Sequence, residues 1–150
     1  MQTARTHSII QHQAVTSKGK EYQAAGTGGM ESFMVKVENE KGSIVISGDV
    51  FTNLTGEAAT NCFGVKGMVV RSMTDGLVHL LKRESMGKGV HVIYNGNGSV
   101  SLELHIAVDP GINIPAACSS IIHEVRYKVE STTGVSIENI DIFVDSMIAG

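Results

Sequence analysis

Only two cysteines and two prolines occur in the 150 residues, tryptophan is absent, and the aromatic share is just 5%. Two cysteines exclude a disulfide framework, and no Cys/His spacing matches a zinc finger or ribbon. No apolar run approaches the roughly eighteen residues that a membrane-spanning helix needs, which excludes direct membrane insertion through a helix. The first ten residues carry Arg5 but no apolar core, which points away from a secretory signal. Neither sign of charge dominates: twelve Lys and Arg stand against fifteen Asp and Glu, a formal net of −3. What the chain does have is seventeen glycines and 42% hydrophobic residues. These read as one turn-rich cytoplasmic domain, long enough to bury its own core.

Residues 1–34 differ from the rest. They hold Gln2, Gln11, Gln13 and Gln23, the stretch Ala24 to Gly29, and no sustained apolar period. Such a segment buries too little to offset its ordering entropy. The expectation is a loose tail over 1–34 and a folded domain over 35–150. Within that domain Ile44 to Ile46 reads as a short strand, and Ser47 or Asp49 can cap a following helix with a side-chain oxygen. Val50, Leu54 and Ala58 then recur at helical spacing, with Phe51 beside them, up to about Cys62. Met68 to Val70 is short and β-prone. Met73, Leu77, Leu80 and Leu81 predict a second helix ending near Glu84.

The clearest strand follows. Val100, Leu102, Leu104, Ile106 and Val108 alternate with Ser101, Glu103, His105 and Asp109, the pattern of a half-buried antiparallel strand with one wet face. Its partner is Val90 to Tyr94, joined through Asn95-Gly96-Asn97-Gly98, a hairpin signal. The apolar positions Val90, Val92 and Tyr94 have the same parity as Val100 and Leu102. Directly paired residues share a face, so the loop has an odd length, three or five residues with a glycine bulge. Asn113 or Asp109 is placed to cap a last helix with Pro115 in its first turn. Ile114, Cys118, Ile121, Ile122, Val125 and Val129 form its stripe, and Gly134 stands where a C-terminal cap glycine belongs. Val135, Ile137, Ile140, Ile142 and Val144 alternate with a phase slip at Glu138-Asn139, read as a bulge. The order β-α-(β)-α-β-β-α-β makes a two-layer α+β domain, an antiparallel or mixed sheet packed on helices.

No catalytic constellation emerges. G-x-S-x-G, the Walker lysine loop and H-E-x-x-H are all missing. His91 and His105 lie on neighbouring strands, yet no third ligand stands at motif-like spacing, so neither a metal nor a cofactor is expected. His79 and His123 read as surface positions on helices. Cys118 reads as a buried structural thiol on the apolar stripe, and Cys62 has only Lys66 nearby to activate it. Gly64-Val65-Lys66-Gly67 has the G-x-x-G form of the KH loop that approaches a nucleic-acid backbone, and also the form of a helix cap followed by a turn. Residues 64–91 carry Lys66, Arg71, Lys82, Arg83 and Lys88 against two carboxylates, a net of +3. Residues 92–150 carry two cations against seven carboxylates, a net of −5. The five cations with Gly64 and Gly67 form the candidate interaction surface. The overall acidity points away from a dedicated nucleic-acid binder, while a two-ended charge pattern suits self-association or docking to a partner.

Five segments carry a family resemblance. Glu38 to Ser47; Ala58-Ala59 through Cys62-Phe63-Gly64-Val65-Lys66-Gly67-Met68; Asp75-Gly76-Leu77 through Lys82-Arg83; Gly87-Lys88-Gly89-Val90; and Thr133-Gly134-Val135 with Ile140 to Val144 follow in order. Over about residues 35–147 the chain resembles the alkaline shock protein, or envelope stress response, family of Gram-positive bacteria. Its Cys-Phe-Gly-Val-Lys-Gly-Met and Leu-Leu-Lys-Arg-Glu runs resemble the subgroup encoded beside fatty-acid or dihydroxyacetone kinase-like proteins. The resemblance implies a small cytoplasmic protein without enzymatic activity. It further implies either a homo-oligomer or a protein held at the membrane by a separate membrane-anchored partner.

Overall fold

The computed structural model describes residues 14–16, 20–22, 34–95 and 98–150. Nearly all of the expected tail over 1–34 lies outside them. Within it the short antiparallel pair β1 (Ala14–Thr16) and β2 (Lys20–Tyr22) is described, together with Met34. The domain begins with a hairpin of β3 (Met34–Asn39) and β4 (Gly42–Ser47), followed directly by α1 (Gly48–Thr60). Next come β5 (Val65–Arg71), β6 (Val78–Leu80), a 3-10 turn (Arg83–Gly89), β7 (Val90–Tyr94) and β8 (Val100–Val108). Helix α2 (Ile114–Thr133) and β9 (Ile137–Met147) complete the chain.

Strand β8 is the axis of a mixed five-stranded sheet. Strand β9 runs parallel along its whole length, whereas β7 pairs antiparallel with Val100 to Leu104 and β5 with Ile106 to Val108. A strand has two edges, so β7 and β5 share the one that β9 leaves. The expected hairpin register holds. Val90 faces Leu104 and Tyr94 faces Val100. The Asn95 N–H then donates to the Ser99 carbonyl at 2.9 Å, and Gly98 closes the loop with φ of 87°. A left-handed glycine there is what a three-residue loop with a bulge requires. The phase slip also holds: Val100 pairs with Ile137 but Leu102 with Ile140, so one extra residue is accommodated at Glu138-Asn139.

One sheet face is apolar and carries both helices. Val100, Leu102, Leu104, Ile106 and Val108 of β8 are buried against Phe51 and Ala59 of α1 and Ile121, Val125 and Val129 of α2. Each such side chain is worth about 1.5–3 kcal/mol, which outweighs local propensity differences. The ends of α2 follow the sequence closely. The Asn113 side chain accepts from the Ala116 N–H at 3.0 Å, Pro115 lies in the first turn, and Gly134 ends the helix at φ 72°. Arg126 donates to both the Glu130 carboxylate and the Ile137 carbonyl, and Glu130 accepts from the Ile137 N–H, fastening the helix to the start of β9.

Four expectations need correction. The second helix is not formed: Met73 is in a turn and Leu80 in β6, because Gly76 at φ 71° and the Asp75 carboxylate, which accepts from the Leu77 N–H at 2.9 Å, build a turn instead. In α1 the buried face is Phe51, Thr55, Ala58 and Ala59, one position round from the expected stripe, and Val50 is exposed. Ser47 holds the N-cap position without a side-chain cap hydrogen bond. Cys118 is half-buried rather than part of the buried stripe of Ile121, Val125 and Val129.

Candidate functional site

The five candidate cations are spread over β5, the β6 exit and the 3-10 turn. Lys66 reaches the Asp109 carboxylate at 3.8 Å, and Arg71 donates to the Gly76 carbonyl at 2.8 Å, closing the β5–β6 turn. Lys82, Arg83 and Lys88 are exposed. Of the five, Lys66 and Arg83 line one hollow of about 340 Å³ with Glu57, Thr60 and Asn61. That hollow lies at the C-terminal end of α1, where the Glu57, Ala58 and Ala59 carbonyls already accept from the Asn61 N–H, the Cys62 thiol and the Cys62 N–H. Lys66 is turned to Asp109 and Glu57 shares the hollow, so its two cations do not stand alone there.

The glycines of the G-x-x-G run have structural reasons. Gly64 turns the chain at φ 84° and its carbonyl accepts from the Asp109 N–H at 2.9 Å. Gly67 lies inside β5, where an added Cβ would come within 2.9 Å of Leu80. The run leads into a strand, not a second helix, so the element order of a KH module is not formed and the nucleic-acid reading is not favoured.

The sheet face away from the helices mixes polar side chains with the exposed Ile93 and Phe143. His91, Glu103 and Asp141 stand side by side across β7, β8 and β9. Beside them His105 lies flat on Phe143, with ring centroids 4.8 Å apart, and its Nδ1 meets the Asp145 carboxylate at 2.7 Å. Asp145 is the extra residue of a second β9 bulge, between Val144 and Ser146, which turns its side chain toward β8. His91 meets His105 edge-on at 5.6 Å. Among the described residues no group of three or more His, Cys, Asp or Glu side chains is arranged to hold a metal ion.

Cys118 sits on α2, and Cys62 lies just past the C-terminal cap of α1. Burial, and after it the Glu124 carboxylate, pushes the Cys62 thiol up, and burial alone does so for Cys118. A raised thiol stays protonated and is a poor nucleophile. Cys62 lines an open groove of about 490 Å³ between α1 and α2, with Ala58, Phe63, Ile112 and Ala116. Phe63 at its rim is 90% exposed.

The features that sequence reasoning missed are the sheet edges. Among the described residues β9 pairs only with β8, and β6 only with β5. Both edges carry exposed apolar side chains: Leu77 and Leu80 at β6, Phe143 and Met147 on β9. Alternation announces a strand but not which of its neighbours is missing; the acidic run along β9 was the available signal. No described helix is long and apolar enough to cross a membrane.

Comparison with known proteins places this architecture. Residues 36–149 match the ASP23 family, described as having a cell envelope-related function. The uncharacterised protein YloU of Bacillus subtilis (strain 168) is 28% identical over 114 residues, covering 75% of this chain and 94% of its own. The uncharacterised protein Spy1614 of Streptococcus pyogenes serotype M6 is 29% identical over 114 residues, covering 75% and 93%. Among solved structures, a variant of the MamM CTD aligns at 19% identity with a TM-score of 0.45, over 66% of this chain and 82% of that one. The family resemblance seen in the five motifs thus extends over nearly the whole described domain, and the chain belongs to the ASP23 family of cell envelope-related proteins.

Proposed function

We propose that this protein is a cytoplasmic, non-enzymatic scaffold of the cell-envelope stress response, acting through contacts between its own copies, with a membrane-anchored partner as its link to the envelope. The observation that carries the reading is the outer edge of β9. The Ile137 N–H and C=O go to Glu130 and Arg126, and from Glu138 to Met147 the strand pairs along one side only among the described residues, beside exposed Phe143 and Met147. Unpaired N–H and C=O groups in a row are a template for another chain. Family membership and its cell envelope-related description support the setting. The perturbed thiols and the His105–Asp145 pair are accounted for by packing and give no reason to add a chemical step.

Cross-linking of the full-length chain in its own cells, followed by fractionation, tests this. The expected result is a ladder of multiples of 15.9 kDa with a share of the protein in the membrane fraction. A monomer alone, wholly in the soluble fraction, would overturn it.

A further inference from the structure

We infer that copies join head to tail through their sheet edges, the basic β6 edge of one copy docking against the acidic β9 edge of the next. This rests on the self-association reading above and names its surface. Strand β9 carries Glu138, Asp141 and Asp145 in eleven residues and no cation. Strand β6 itself carries no carboxylate and leads out through Lys82 and Arg83, both exposed; the flanking carboxylates are Asp75, 3.8 Å from His79, and Glu84. His105 already holds Asp145, so Asp141, exposed at the middle of the strand, is the carboxylate best placed to meet a second copy.

Charge decides among the possible pairings. A two-fold contact of β9 with β9 would bring two acidic strands together, each with Asp141 and no cation, and cross-strand like charges are destabilising. A two-fold contact of β6 with β6 would set Lys82 and Arg83 against themselves over a strand of three residues. Only the mixed contact matches opposite signs. It also matches apolar surface, since Leu77 and Leu80 are 60% and 47% exposed, and Phe143 and Met147 are 43% and 56% exposed. Both helices pack on one face of the sheet, against the apolar side of β8. Because two different patches meet, the contact does not close after one pair; it propagates into a ring or an open filament.

The test reverses the charges in separate chains. One variant carries Lys82→Glu with Arg83→Glu, the other Asp141→Lys. The second change sets a lysine beside Glu103, its direct cross-strand neighbour, so folding is favoured, and far-UV circular dichroism checks both. Light scattering is then recorded on wild type, each variant and their equimolar mixture. Each variant alone should need a concentration at least about tenfold higher for half-assembly, and the mixture, in which every contact again joins opposite charges, should regain wild-type assembly. Rising salt should loosen wild-type assemblies, a readout that needs no variant. Variants that assemble as wild type does, a mixture that stays dissociated, or assembly indifferent to salt would each overturn the edge assignment while leaving self-association standing. A wild type that stays monomeric would overturn both.

Discussion

Gly89 stands where three strands meet, and replacing it with alanine gives a sharp test of the β8-centred topology. Strands β5 and β7 lie end to end along one edge of β8, and Gly89 occupies the seam. An added Cβ would come within 3.0 Å of the Val69 carbonyl oxygen, 3.1 Å of the Met68 Cβ and 3.3 Å of the His105 carbonyl oxygen. Two of these are backbone atoms of ladder strands, and the third belongs to a fully buried side chain. None can move without shifting a strand, so the methyl must be accommodated by strain of about 1–3 kcal/mol. For a domain of this size about 2 kcal/mol lowers Tm by roughly 6–12 °C. Gly67→Ala is the control: its Cβ would come within 2.9 Å of the Leu80 Cδ1, the end of a half-exposed side chain that can rotate away. That change should stay within about 0.5 kcal/mol of wild type. Urea unfolding followed by circular dichroism at one fixed, low protein concentration measures both, since self-association otherwise shifts apparent stability. Equal stability of the two variants would refute the packing of β5 and β7 around Gly89.

Two further outcomes follow from local chemistry. Asn113→Ala removes the side-chain acceptor for the Ala116 N–H and should cost about 1 kcal/mol in the same assay, while Asn113→Asp, which keeps the acceptor, should not. Burial, and next the Asp49 carboxylate, pushes the Tyr94 hydroxyl up to about 12. A folded value above the unfolded value of about 10 makes the contribution fully present below pH ~10 and lost as pH rises from there toward ~12. The full shift corresponds to about 2.7 kcal/mol, reduced to about 1 kcal/mol by solvent screening of a partly exposed ring. Tyr94→Phe should abolish that alkaline step in a stability profile against pH, and a step of unchanged size in the variant would assign it to another group.

Much of this fold was legible where local chemistry and burial agree. The parity of Val90, Val92, Tyr94, Val100 and Leu102 implied an odd loop because the same face is buried on both strands, and Gly98 supplies the left-handed residue. Helix α2 was readable because cap, proline, stripe and terminal glycine all point the same way. The segment from Met73 to Leu81 misled because its apolar spacing fits a helix, yet Met73, Leu77 and Leu80 are exposed and have no core to face. Strand β3 was missed since Val35 and Val37 alternate too briefly to stand out, although Val35 is fully buried. The parallel course of β9 was invisible for a different reason: alternation specifies a strand and its buried face, not its direction or its neighbour. Of the five candidate cations, proximity in sequence did not bring a site together; Lys66 and Arg71 serve local contacts, and Lys82 and Arg83 gain meaning only once β6 is known to be an edge.

Light scattering of the full-length chain over a range of concentrations and salt tests the central claim of edge-mediated self-association most directly. The mass should rise above 15.9 kDa as concentration increases and fall back as salt screens the Lys82 and Arg83 edge from the Asp141 edge. A constant mass of 15.9 kDa under every condition would contradict it.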